Sequence, residues 1–158
     1  MRAAPVEPLG GIDQLNALLR GEVAPPPMGE LMGMTLILVE EGRVVFGVTP
    51  GRRHENPMGI THGGLAATLL DSAMGCAVQS TLPAGAGFTA LELTVHYVAT
   101  VTHETGPILG EGRFVHRGGR TATAEGRVIR VADGRVLAHA TTTCLLTLPT
   151  KTAPAEAA

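Results

Sequence analysis

A chain of 158 residues with 44% apolar side chains is large enough for one domain with its own core, and 16% charged residues are too few for a disordered chain. The formal net charge of -2 gives no whole-chain attraction to nucleic acid or to a membrane surface. With no Trp, one Tyr and three Phe, the core must be built from Val, Leu, Ile, Ala and Met. Charge is uneven along the chain: from Glu111 to Arg135 six Arg stand against Glu111, Glu125 and Asp133, a surplus suited to a phosphate-bearing small ligand. Cys76 and Cys144 lie in apolar runs and read as buried free thiols. Residues 1–10 lack a basic stretch followed by an apolar one, and no apolar run reaches the ~18 residues that span a membrane, so a soluble cytoplasmic protein is expected.

In chain order, residues 12–20 carry Ile12, Leu15, Leu18 and Leu19 on one helical face, with Gly21 as the stop. Pro25, Pro26 and Pro27 predict a stiff connector. Residues 31–40 and 43–49 read as a hairpin turning at Glu41-Gly42. A Gly/Pro/His loop over 50–62 leads into residues 63–81, rich in Ala, Leu and Met and too long for an ordinary strand; this is a helix with Thr61 as the candidate cap. Four strands follow, over 88–100, 106–116, 120–131 and 135–148, with turns at Gly118-Gly119 and Asp133-Gly134. A helix apolar nearly all round must be buried. The predicted fold is therefore α+β, one antiparallel sheet around one helix, with a sheet edge that invites a second copy. The domain occupies 29–148, preceded by an N-terminal helix and Pro-rich connector (1–28) and followed by a frayed tail (149–158).

Asp71 is the one charged residue of the central helix. Ala67 and Gly75 keep its face low, so another chain or a ligand can approach. A carboxylate there is either a buried group held by hydroxyls and amides, or a base or nucleophile made reactive by partial desolvation. The loop before the helix bears on this. Gly63 and Gly64 place unmasked N–H groups at a helix start, where they would polarise a thioester carbonyl and stabilise its oxyanion. Asn56 can hydrogen-bond a carbonyl or a water. His62 either orients the loop or the thioester, or is a packed loop histidine. The six His form no compact cluster with ligand spacing, so no metal is expected; no cofactor motif is present either.

The run Asn56-Pro57-Met58-Gly59-Ile60-Thr61-His62-Gly63-Gly64, with Ala66-Ala67-Thr68-Leu69-Leu70-Asp71 behind it, resembles the PaaI-like group of hotdog-fold thioesterases. The likeness extends over roughly 29–148, including Thr89-Ala90-Leu91-Glu92-Leu93, His116-Arg117-Gly118-Gly119-Arg120 and Asp133-Gly134-Arg135. It implies a hotdog fold: a curved antiparallel sheet around a central helix, assembled as a homodimer or homotetramer. It implies acyl-CoA thioesterase activity at a dimer interface. Asp71 would come from one copy as base or nucleophile. Asn56, His62 and the Gly63 amide, the main oxyanion donor, would come from the other. Gly64, Thr89 and Ala90 would also touch the substrate. CoA would lie against Tyr97, Val98, Ala99 and Thr100 and the turn His116, Arg117, Gly118, Gly119, Arg120 and Thr121, with Arg117 and Arg120 on its phosphates. The chain departs from the group at Ala90, where relatives often carry Ser or Thr (Thr89 is adjacent), and at Ala99, where they tend to carry Arg.

Thioester hydrolysis needs the parts present: one carboxylate and one oxyanion corner. No Gly-x-Ser-x-Gly elbow occurs. An acyl-CoA binder without turnover is the alternative; a hotdog enoyl-CoA hydratase ranks below it, because the carboxylate lies on the helix. Leu70, Met74 and Met58 are expected to line the acyl pocket, admitting aryl-acyl groups (phenylacetyl or hydroxybenzoyl) or medium-chain acyl groups.

Overall fold

The computed structural model describes residues 9–149. The expectations for residues 1–8 and, Pro149 apart, for the tail 149–158 lie outside the described residues.

Helix α1 spans Gly11–Leu19 and buries Leu15 and Ala17. Gly11 N–H donates to Leu82 O at 3.0 Å. Gly21, at φ +72°, closes the helix as expected. The connector differs from the expectation: Pro27–Met32 is a second short helix, α2, and the strand predicted from residue 31 begins at Thr35. Pro27 fits the first helical position, where its missing N–H costs nothing, and Gly33 (φ +67°) supplies the left-handed cap.

Strands β1 (Thr35–Glu40) and β2 (Arg43–Val48) form the predicted hairpin around Gly42, at φ +74°. The long helix α3 runs Gly63–Gln79. Then come β3 (Gly87–Tyr97), β4 (Ile108–Arg117), β5 (Thr121–Arg130) and β6 (Val136–Thr147). The strand predicted to 100 stops at Tyr97; residues 98–100 leave the ladder and Val98 and Ala99 donate to Leu137 O instead. All six strands form one antiparallel sheet in the order β1-β2-β4-β5-β6-β3. α3 touches β2, β3, β4, β5 and β6, so the sheet curves around it in the hotdog arrangement.

The seating of α3 depends on glycine. Gly110 and Gly112 on β4 and Gly126 on β5 lie beneath it. A Cβ at Gly112 would stand 2.5 Å from Met74 N and closer still to the Ala73 carbonyl; one at Gly110 would meet Leu69 Cγ at 2.5 Å. Without side chains in the floor, Leu69, Leu70, Ala73 and Met74 sink to complete burial. Each buried Leu or Met contributes roughly 1.5–3 kcal/mol.

On the sheet's outer face Glu111 is buried beneath guanidinium groups. Arg113 Nε donates to it at 2.6 Å, Arg43 at 3.1 Å and Arg127 at 3.4 Å. Burial alone would raise its carboxyl, but the bonds from Arg113 and Arg43 outweigh that and hold it below the ordinary carboxylate range. Arg130 pairs with Asp133. Much of the arginine surplus is thus committed to the sheet itself. Arg117 and Arg120, at the β4–β5 turn, are exposed and form no ion pair among the described residues.

Strand β3 is an edge. Thr89 to Glu92 are exposed in succession on both faces, and Leu91, Tyr97 and Val98 are each more than half exposed. No helix among the described residues is long and apolar enough to cross a membrane.

Candidate active site

The loop before α3 is held by its own polar groups. Asn56 Oδ1 accepts from Met58 N–H at 2.9 Å and Ile60 N–H at 3.4 Å. Asn56 N–H donates to Ile60 O, and Gly59, at φ +76°, donates to Asn56 O. The carbonyl side of the Asn56 amide is therefore spent on the turn; its NH2 is left for another partner. His62 N–H donates to the carbonyl of buried His54 at 2.7 Å, which fixes where α3 begins.

His62, rather than Thr61, is the cap of α3. Gly64 N–H donates to its Nδ1 at 2.9 Å, and Leu65 N–H donates to its carbonyl at 3.0 Å. With Nδ1 accepting, the neutral ring carries its proton on Nε2, an outward donor. Of the two glycine amides expected to be free, one is therefore occupied. Gly63 N–H donates to no acceptor among the described residues. Tyr97 OH donates to Gly63 O at 3.1 Å, and a Cβ on Gly63 would lie 3.0 Å from that ring, so any side chain there would push the tyrosine aside.

Gly63 opens on a cavity of about 420 Å³. One wall is Asn56 and Ile60 through Gly63, and the other is Tyr97 through Val101. Leu65, Ala66, Ile108, Leu137 and Ala138 close it with aliphatic surface, and no charged side chain lines it. The side chains expected at an acyl wall do not line it. Leu70 and Met74 are wholly buried over the glycine floor, and Met58 stands 77% exposed at a loop tip. A second cavity of about 340 Å³ lies on the far side of His62 and Gly64, against Met32, Arg53, Glu55 and Thr68.

Asp71 lies in neither cavity. Eight residues along α3, it is roughly 12 Å from Gly63. It keeps solvent access in the single chain, yet burial of part of the carboxyl pushes its pKa up, and no charge partner offsets this. Asp71 in turn raises the thiols of Cys76 and Cys144. Burial is the larger cause in both, and Cys76 is pushed up to about 12, so these thiols are inert at neutral pH. One turn after Asp71, Gly75 lies against the Phe88 ring of β3, so this face of the helix looks toward the start of β3.

The same side holds Thr89 and Ala90. Ala90 pairs with Cys144 and Phe88 with Leu146, and both of those β6 residues are buried. Residues paired across an antiparallel ladder share a face. Ala90 therefore faces α3, and the Thr89 hydroxyl points to the outer face. The turn 116–121 lies at this end of the sheet too, since Thr121 pairs with Leu145. Tyr97 pairs with Ala138, seven residues along β6 from Leu145, or roughly 20 Å away. The candidate residues thus fall into two groups on one chain: Asn56, His62, Gly63 and Tyr97–Thr100 at one end, and Asp71, Thr89, Ala90 and the 116–121 turn at the other. The unpaired β3 edge runs between them.

Comparison with known proteins agrees with this architecture. The sequence profile of the thioesterase superfamily matches residues 58–137, about half of the chain, and the chain belongs to that superfamily. The phenylacetic acid degradation-related protein of Ralstonia eutropha JMP134, whose structure is described as a thioesterase, is 26% identical with a TM-score of 0.74; the match covers 82% of this chain and 97% of that one. The Streptococcus mutans UA159 protein smu.793, solved bound to acetyl CoA, is 27% identical with a TM-score of 0.65, covering 72% and 88%. A Halobacterium salinarum protein assigned as an esterase is 36% identical over 77 residues, 48% of this chain and 49% of that protein, so the chain spans about half the length of this relative.

Proposed function

We propose that the chain is a cytoplasmic acyl-CoA thioesterase whose site is completed by a second copy. The observation that carries this reading is the free Gly63 N–H at the head of α3. It opens on a neutral aliphatic cavity, while the partly desolvated Asp71 of the same helix lies one turn before Gly75, which packs on Phe88 of the unpaired β3 edge. Joining two copies along β3 brings Asp71 of one toward Gly63, His62 and Asn56 of the other. The Gly63 amide, fixed at a helix N-terminus, stabilises the oxyanion of the tetrahedral intermediate. Asp71 activates water or attacks the thioester carbon. His62 Nε2–H and the Asn56 NH2 orient the carbonyl or the water. CoA runs along Tyr97–Thr100, and Arg117 and Arg120 of the Asp71-bearing copy meet its phosphates. Gly64 belongs to the same corner through its bond to His62. Aryl-acyl or medium-chain acyl groups suit the aliphatic wall. The acetyl CoA held by the Streptococcus mutans protein supports the ligand class.

The test is CoA release from phenylacetyl, hydroxybenzoyl, hexanoyl and palmitoyl thioesters, followed by mixing of two inactive variants. Asp71→Asn and Asn56→Ala are each expected to be inactive alone. Co-refolded hybrids should recover activity, because one of their two sites draws Asp71 and Asn56 from intact copies. Hybrids without activity would show that the site lies within one chain, and a wild type that binds CoA esters without turnover would point to a binder. His62 has a separate expectation. His62→Asn keeps a good cap and should hold stability within about 0.5 kcal/mol. It should still lower kcat about tenfold, because the Nε2–H donor is gone. His62→Ala should add a stability loss of about 1 kcal/mol. Urea unfolding measured beside CoA release separates the two effects.

A further inference from the structure

The two walls of the aliphatic cavity come from distant parts of the chain, and two bonds tie them together. Thr61 N–H donates to Val101 O at 2.9 Å. His103 Nδ1 lies 2.6 Å from Glu55 Oε1. Glu55 is largely buried, with its side chain 18% exposed, and it immediately precedes Asn56. His103 belongs to the β3–β4 connection just beyond Val101. That connection is stiffened locally: Thr105 N–H donates to Thr102 O, Thr102 N–H to Thr105 Oγ1, and Glu104 N–H to Thr102 Oγ1. Its other ring nitrogen is 3.9 Å from the exposed carboxylate of Glu104, so Glu55 is the close partner. Glu55 also bridges to Thr61 through the backbone, and this closes the Asn56 turn into a small ring.

From this geometry we infer that Glu55 and His103 form a latch that positions the oxyanion loop. The pair holds the segment carrying Asn56, His62 and Gly63 against the Tyr97–Val101 wall. Neither residue touches the reacting atoms; both act through the loop. The inference rests on the thioesterase reading above. A single side-chain contact of this kind, with His103 part-exposed, adds little to global stability. Its effect therefore falls on the placement of the Gly63 amide and the Asn56 NH2, where a shift of 1 Å is costly in rate.

Glu55→Ala and His103→Ala should each lower kcat about tenfold, with KM changed less than threefold and the melting temperature almost unmoved. The double variant should be no slower than either single one, because the two residues act as one device. Glu55→Gln, which keeps an acceptor for the imidazole N–H, should restore kcat to within about twofold of wild type. In the same proteins, amide hydrogen exchange over 55–63 should speed up in the alanine variants. Faster exchange with unchanged kcat would overturn the positioning role and leave the thioesterase reading standing. Single effects that multiply in the double variant, or activity lost only in step with melting temperature, would overturn the latch as a device. A wild type that hydrolyses no thioester would remove the enzymatic reading itself, and with it this role.

Discussion

Asp71→Asn is expected to lower kcat for CoA release by about a thousandfold while the chain stays folded. The amide is isosteric and exposed enough to need no new partner, so binding of a CoA thioester should persist while hydrolysis stops. The carboxyl titrates above its ordinary range because burial removes part of its hydration. The rate should accordingly rise with pH through this raised range and then level off. The stability sign is opposite. Between the unfolded and folded pKa the native state holds a proton that the unfolded chain has released, so stability falls as pH rises through that window. Asp71→Asn removes this component, and urea midpoints measured across the acid range should lose that part of their slope. A variant with wild-type turnover would exclude Asp71 from the chemistry.

Gly112→Ala should destabilise the fold by about 3 kcal/mol. The added methyl meets the Ala73 carbonyl and Met74 N, which are helix backbone and cannot rotate away. The whole of α3 must lift, and the seating of Leu69, Leu70 and Met74 loosens with it. Gly119→Ala is the control: a Cβ there meets nothing within 4 Å, and the change should stay within about 0.5 kcal/mol. Chemical unfolding of both variants decides the matter. Equal effects would mean that the floor glycines are not what sets the depth of α3.

Much of this was legible in the sequence, for physical reasons that can be named. Glu41-Gly42 and Asp133-Gly134 mark hairpins because Gly42 and Gly134 sit at positive φ, which glycine adopts at no steric cost. A helix over 63–81 was evident from its length and its Ala/Leu composition, and it ends two residues earlier, at Gln79. The α2 helix was missed because three prolines read as extended chain, although Pro27 followed six residues later by Gly33 is the start-and-stop pattern of a helix. The expectation that Leu70 and Met74 line a pocket failed for a different reason. Composition shows that Leu70 and Met74 are apolar, but only the glycines of β4 and β5 determine that those two sink into the floor rather than face a ligand. The candidate site was half legible: His62, Gly63 and Asn56 gather in one cavity. The link from Glu55 to His103 joins positions 48 apart with no shared motif, and periodicity carries no trace of such a pair.

The glycine floor also governs strand alignment. Gly112 and Gly126 are direct partners in the β4–β5 ladder. A slip of β4 by two residues keeps every side chain on its proper face, so hydrophobic pattern alone does not forbid it. In one direction the slip brings Phe114 beneath Ala73; in the other it brings Ile108 beneath Leu69. Neither position has room for a side chain. The helix thus reads the register of the sheet mechanically: a docked α3 tolerates one pairing of β4.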